Sequence, residues 1–342
     1  AGLEAVEFWT PQRGLKGLGS PARACVLGAG GEGCGLAQRL ARAGARVDLL
    51  ERQDRILPRE DPEAARLIER ALDADGVGVH AAAEARSVER RGEAIRVRFD
   101  TSAGEGREIE VDRLVVTAEA SAEASGRAPR VADLGLEAAG VEYSVGGGIE
   151  VDARLRTTNP RVFAAGSALQ LPPRALGPAA VGEPLAAAQA RMAVRNALLV
   201  GRLRWDSLAA PHLIPTSPAV ARVGLQAAEA EDLGEGRVET LRVPLEDPRA
   251  GDGGGGFLKI YLKRGGDRIL GAALVAEGAA ERLAPLTLAL THGIGLSKLA
   301  AVTRPDPIPG GLLRRAARQR RLAARRPSLA ARLLGAWFRW VA

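Results

Sequence analysis

The sequence predicts an α/β chain in which a doubly wound, parallel-sheet domain is followed by an α+β domain. Three observations carry this. A short apolar strand runs into a glycine-rich turn, a helix and a second strand between residues 24 and 51. Helical and strand-like segments then alternate to about residue 120. Finally, Leu258, Ile260 and Leu262 alternate with Lys259, Tyr261 and Lys263 ahead of the turn Arg264-Gly265-Gly266-Asp267 and a return segment over 268–276, the pattern of a β-hairpin.

Ala24-Cys25-Val26-Leu27 suits a buried parallel strand, and it stops at Gly28-Ala29-Gly30-Gly31-Glu32-Gly33. This is G-x-G-x-x-G in a strand-to-helix context, the Rossmann-like arrangement for a dinucleotide. Gly28 permits the tight turn, Gly30 lets the backbone approach a pyrophosphate, and Gly33 lets the helix pack against the strand. The helix N-terminus offers unpaired N–H groups and the positive end of its dipole. Leu36, Ala37, Leu40 and Ala41 recur at helical spacing, Gly44 suits the C-terminal cap, and Val47 to Leu50 forms the second strand. Glu51 ends that strand, where a carboxylate accepts from a ribose 2′-OH and repels a 2′-phosphate, so NAD(H) is favoured. Arg52 beside it keeps NADP(H) open.

Asp61-Pro62-Glu63 predicts a capped helix to about Ala74, and Val77 to His80 a third strand. Residues 86–90, 94–99 and 107–111 suggest an antiparallel insert, with 113–117 returning as a buried strand. Further strands are expected over 148–152 and 161–165. A helix over 185–199 should be lined by Leu185, Ala188, Met192 and Leu199, and later helices are expected over 281–291 and 296–302.

The net charge is +7 with pI near 10, but the charge is localised. Residues 312–342 hold nine arginines and no acid, so +7 less +9 leaves −2 on the rest. A near-neutral body without interleaved aromatics argues against nucleic-acid binding. Two cysteines and three histidines supply neither a bridge framework nor a metal cluster, which fits an intracellular, reducing compartment of unspecified identity. Cys25 and Cys34 are expected as packed residues, Cys34 at a helix start where a thiol can also be activated. His80, His212 and His292 are expected in structural roles.

These pieces resemble the pyridine nucleotide-disulfide oxidoreductases, above all mercuric-reductase-like and dihydrolipoamide-dehydrogenase-like proteins. The resemblance runs from about Ala22 onward. It rests on Gly28 to Gly33 with Leu49-Leu50-Glu51-Arg52, on Ile56-Leu57-Pro58-Arg59-Glu60-Asp61, and on Thr157-Thr158-Asn159-Pro160-Arg161-Val162-Phe163-Ala164-Ala165-Gly166. Pro218-Ala219-Val220-Ala221-Arg222-Val223-Gly224-Leu225 and the hairpin ending Leu270-Gly271-Ala272 extend it.

The resemblance implies a linker over 1–20, an NAD(P)-binding domain over 21–120 and a segment over 121–205 that returns to a partial FAD domain. A dimerisation domain over 206–311 and a basic helical tail over 312–342 complete the chain. It also implies homodimers using FAD, with Gly166 and Ser167 at the flavin-facing turn.

Several positions depart from the family pattern. Ser167 stands where the family has a flavin-contacting Asp, and Gly35 where a Glu follows the third glycine. Arg304 and Gly311 replace a His and a Glu of the acid-base pair, and arginine cannot shuttle protons at neutral pH. No FAD-binding βαβ unit or cysteine pair precedes the glycine turn, which puts FAD binding by this chain in question and leaves no catalytic residue to name. The leading expectation is an NAD(P)H-binding portion of a flavin-dependent oxidoreductase, truncated or split from an FAD half carried by a separate chain, with its electron acceptor unknown. The alternative is a non-catalytic, NAD-binding dimeric scaffold of the same descent. Of two fates for the tail, docking on the dimerisation domain and weak association with an anionic membrane surface, docking is expected.

Overall fold

The computed structural model describes residues 2–11, 22–117 except 103, 120, 129, 131, 133–144, 147–169, 183–199, 203–205, 209–245 except 235, 255–302, 311–323 and 337. It divides into two compact units, Ala1–Val220 and Ala221–Ala342.

In the first unit, β1 (Arg23–Leu27), β2 (Arg46–Leu50), β3 (Val77–His80) and β7 (Arg113–Val116) form a parallel sheet in the order β3-β2-β1-β7. Cys25, Val26, Leu49 and Val115 are fully buried, as continuous apolar runs covered on both faces should be. Helix α1 (Gly31–Arg42) joins β1 to β2, and Gly44 follows it at φ +96°. Helix α2 (Pro62–Ala74) starts where the Asp61 side chain accepts from Glu63 N and Ala64 N, a cap worth about 1 kcal/mol. Between β3 and β7 lies the antiparallel insert of β4 (Ala83–Arg91), β5 (Ala94–Thr101) and β6 (Gly104–Val111). Val88, Val97, Phe99 and Val111 close one face of it into a core shared with Cys25 and Leu114.

Three sequence expectations need correction here. Residues 2–11 do not behave as linker: Val6 and Trp9 are buried, Trp9 bridges to Val115, and the Arg113 guanidinium stacks over its ring at 5.4 Å. The apolar pair supplies what a solvated linker lacks. Of the later strands, β8 (Tyr143–Ser144) pairs with β9 (Gly148–Ile149), but 161–165 makes only a bridge from Phe163 to Arg156, with no strand alongside it among the described residues. Helix α3 (Glu183–Leu198) buries Gln189, Met192 and Ala193, an i, i+3, i+4 stripe, while Leu199 beyond its end is 65 % exposed.

The first unit ends with β10 (His212–Ile214), against which the start of α1 packs, and with the beginning of β11 (Ala219–Gly224). In the second unit the strand order is β11-β14-β13-β12, with β12 (Val238–Pro244), β13 (Phe257–Lys263) and β14 (Ile269–Ala276) antiparallel along the chain. The short helix α4 (Ala227–Leu233) follows β11, and α5 (Ala279–Thr291) and α6 (Leu296–Ala300) follow β14. His292 caps α5 through its backbone N–H to Leu288 O and is exposed.

Helix α7 (Gly311–Ala323) buries Leu312, Leu313, Ala316 and Ala317 and packs on α6 and β12. Arg320 fixes it there, donating to both Glu239 carboxylate oxygens, to Asp267 Oδ1 at 3.1 Å and to Gly266 O. Docking therefore accounts for the tail as far as residue 323. Its later part, apart from Trp337, and the stretch 303–310 with Arg304 lie outside the described residues. Among the described residues, no helix is long and apolar enough to cross a membrane.

Candidate nucleotide site

The glycine turn sits at the carboxyl end of β1, the place where open α/β sheets receive ligands. Gly28 has φ +93°, and a Cβ there would lie 2.2 Å from Thr117 Oγ1 and 2.9 Å from Ala120 N. Gly33 is more constrained: its Cβ would fall 1.9 Å from Gly28 O, so only glycine lets α1 approach the turn. Gly30 is the N-cap of α1 in extended backbone, and no side chain caps the helix. The amides of a helix start, with the positive end of the helix dipole, attract an incoming anion.

Glu51 is buried at 6 % exposure, and its carboxylate holds the turn itself. Oε2 accepts from Ala29 N at 2.8 Å and Oε1 from Gln53 N at 3.0 Å. A carboxylate has about four lone-pair directions, so two contacts leave acceptor capacity for a ribose hydroxyl. Sequence reasoning assigned Glu51 to the ligand alone and missed this bracing role. Arg52 is exposed at the rim.

The Ala29 carbonyl is also fully engaged, accepting from Leu57 N at 2.8 Å and from Cys34 Sγ at 3.3 Å. Cys34 is completely buried, so the structure places it as a packed donor rather than an exposed thiol. Cys25 is equally buried, and desolvation, with the Asp48 charge adding to it, pushes its thiol well above the ordinary value. His80 hydrogen bonds Asp48 Oδ1 at 2.8 Å and lies tilted on Phe99, consistent with a structural role.

Leu57 holds a left-handed backbone, φ +46°, with its side chain buried, a conformation that costs a leucine about 1 kcal/mol or more. No periodicity signal marks it in the sequence.

Residues from the end of the first unit close the far side of α1. A Cβ on Gly31 would meet Ile214 Cγ1 at 2.9 Å, and one on Gly35 would lie 3.2 Å from Pro215 O. The backbone therefore closes on the position where the family's glutamate would leave the helix. Buried Gln38 clamps the same segment, donating to Ser217 O at 2.8 Å and accepting from Ser217 N at 2.7 Å.

Gly166 and Ser167 occupy a separate short turn packed with α3. Gly166, at φ +76°, donates its N–H to buried Gln189 Oε1 at 2.9 Å, whereas Ser167 is exposed. Gln189 Nε2 is buried without a hydrogen-bond partner.

The described residues thus fit a dinucleotide at Gly28–Gly33. For a flavin they offer no second G-x-G-x-x-G turn and no carboxylate at 167.

The comparisons with known proteins agree with this fold. Residues 3–195 match the pyridine nucleotide-disulphide oxidoreductase family, and residues 210–313 match the dimerisation domain of the same family. This chain belongs to that family. A mercuric reductase of Streptomyces lividans is 33% identical over 307 residues, covering 89% of this chain and 61% of the relative. A dihydrolipoyl dehydrogenase of Thermus scotoductus is 34% identical over 306 residues, covering 88% and 62%. The chain thus spans about three fifths of the length of these curated relatives. Among solved structures, LpdA from Mycobacterium tuberculosis matches with a TM-score of 0.74 at 29% identity, covering 91% of this chain and 64% of that one. The flavoprotein disulfide reductase RclA of Escherichia coli, at 24% identity and TM-score 0.77, shares the fold. Members of the family use FAD and NAD(P).

Proposed function

We propose that this chain is the NAD(H)-binding and dimerising portion of a flavin-dependent oxidoreductase of this family. The observation that carries the proposal is the Gly28–Gly33 turn, braced by Glu51 and opening onto the uncapped start of α1. Gly28, Gly30 and Gly33 shape the backbone around a pyrophosphate. The first-turn amides of α1 donate to it, and Glu51 accepts from the adenosine ribose while disfavouring a 2′-phosphate. Arg52, at the rim, is the side chain through which NADP(H) would be tolerated. A flavin, held with sequence of the kind the longer relatives possess or by a partner chain, would supply electron transfer. Gly166 and Ser167 would face it with backbone and hydroxyl rather than with a carboxylate.

The second reading, a non-catalytic NAD-binding scaffold that dimerises, is favoured by one observation: the chain has closed around Gly35 where the family keeps an acid. Both readings expect nucleotide binding, so a visible absorption spectrum of the native product separates them. A flavin band that NADH bleaches supports the oxidoreductase; NADH binding to a colourless dimer supports the scaffold. Residues 1–342 on their own should not reduce lipoamide or glutathione disulfide above the free-flavin background, because Cys25 and Cys34 are both buried and Arg304 cannot shuttle protons at neutral pH. A weak attraction of the basic tail to anionic liposomes should be released by salt and by deleting residues 327–342, whereas docking expects a soluble chain destabilised by that deletion.

A further inference from the structure

The loop that follows Glu51 grips the glycine turn through backbone groups. Leu57 N–H donates to Ala29 O, opposite the Glu51 carboxylate on Ala29 N, so both faces of this residue are fixed. Leu57 does this from a left-handed conformation with its side chain buried, and such a residue persists only where its surroundings over-determine it. Arg55 is what determines it. Its Nη1 donates to Leu57 O at 3.0 Å and Glu60 O at 3.2 Å, and its Nη2 to Pro58 O at 2.6 Å. One planar guanidinium thereby ties three carbonyls of a six-residue loop, which a lysine ammonium cannot match in geometry.

We infer that Arg55 is a positioning residue for the nucleotide, acting through Leu57 and Ala29 to aim the first-turn amides of α1. The inference rests on the NAD(H) reading above. Arg55 places three of its five N–H donors on the loop carbonyls, so its effect reaches the ligand through the turn. Preorganisation of this kind lowers the ordering cost of binding, and loosening it raises Kd without removing a ligand contact.

The test is a titration of NADH and of ADP-ribose against the full-length wild type, Arg55→Lys and Arg55→Ala, with melting temperatures recorded and binding measured where each chain is folded. Arg55→Ala should raise both Kd values about tenfold and Arg55→Lys about threefold, because both ligands load the same pyrophosphate turn. A lowered melting temperature with wild-type Kd values would overturn the inference, as would a loss confined to NADH, which would place the effect at the nicotinamide end. If Arg55→Ala fails to fold, wild-type affinity in Arg55→Lys overturns it equally. Wild type that binds neither ligand instead defeats the NAD(H) reading itself, and the inference falls with it.

Discussion

Gly28 and Gly166 share a left-handed backbone, at φ +93° and +76°, yet their surroundings differ in kind. Around Gly28 a Cβ meets Thr117 and Ala120 below 3 Å, whereas around Gly166 the nearest neighbour is Ala186 Cβ at 3.3 Å. The first turn leads into an uncapped twelve-residue helix and faces a buried carboxylate; the second leads into a three-residue turn whose next side chain, Ser167, is neutral and solvated. A glycine motif is suited to binding chemistry when helix dipole, first-turn amides and an acid converge on it. Left-handed glycine alone makes only a corner.

Substitutions can break that contrast. The largest effect should come from Gly33→Ala, whose methyl would be driven into Gly28 O. We expect a loss of at least about 3 kcal/mol in urea unfolding together with loss of NADH binding. A variant within 1 kcal/mol of wild type would show that α1 can move away freely.

Next in size is Glu51→Gln. The amide keeps one acceptor oxygen but sets an NH2 against either Ala29 N–H or Gln53 N–H. Stability should fall by about 1–3 kcal/mol, NADH should bind about tenfold more weakly, and the gap to NADPH should narrow. A wild type that prefers NADPH would contradict the assignment of Glu51.

Gly166→Ala sharpens the comparison from the other side. Its cost should be about 1–2 kcal/mol, from the left-handed backbone and the tight approach to Ala186, with the NADH affinity within about twofold of wild type.

The smallest effect belongs to the exposed ion pairs on the β4–β6 insert and at the start of β1. Hydrogen bonds from Arg86 to Asp100, from Arg98 to Glu108 and from Arg23 to Asp112 each hold the carboxylate below its ordinary pKa. Because these pKa values are depressed in the folded state, their stabilisation is present above the ordinary carboxylate range and is lost as pH falls through the lowered values. The melting temperature should drop modestly below about pH 4, and less so in high salt, because these pairs are solvent-exposed. A midpoint that rises on acidification would reverse the sign.

Much of the first unit was legible because its signals are local: alternation, helical spacing, the Asp61-Pro62 cap and glycines at fixed offsets. What stayed hidden depends on contacts distant in sequence. Trp9 gains its place from Val115, about a hundred residues away, and Pro215 closes on Gly35 from the end of the unit. Strand β12 escaped prediction because Glu239, Thr240 and Arg242 dilute its apolar Val238, Leu241 and Val243. At the site, the glycines and the acid could be named from spacing, but the second duty of Glu51 and the roles of Arg55 and Leu57 could not. Those duties run through backbone N–H and C=O groups, which every sequence has and no residue letter reports.

The central claim is that the Gly28–Gly33 turn holds NAD(H), and titration of NADH against wild type and Gly30→Val tests it most directly. Wild type should bind, and the valine variant, folded but with a branched side chain where the pyrophosphate must approach the backbone, should lose at least about a hundredfold in affinity. Equal affinity in the two folded proteins would contradict the account.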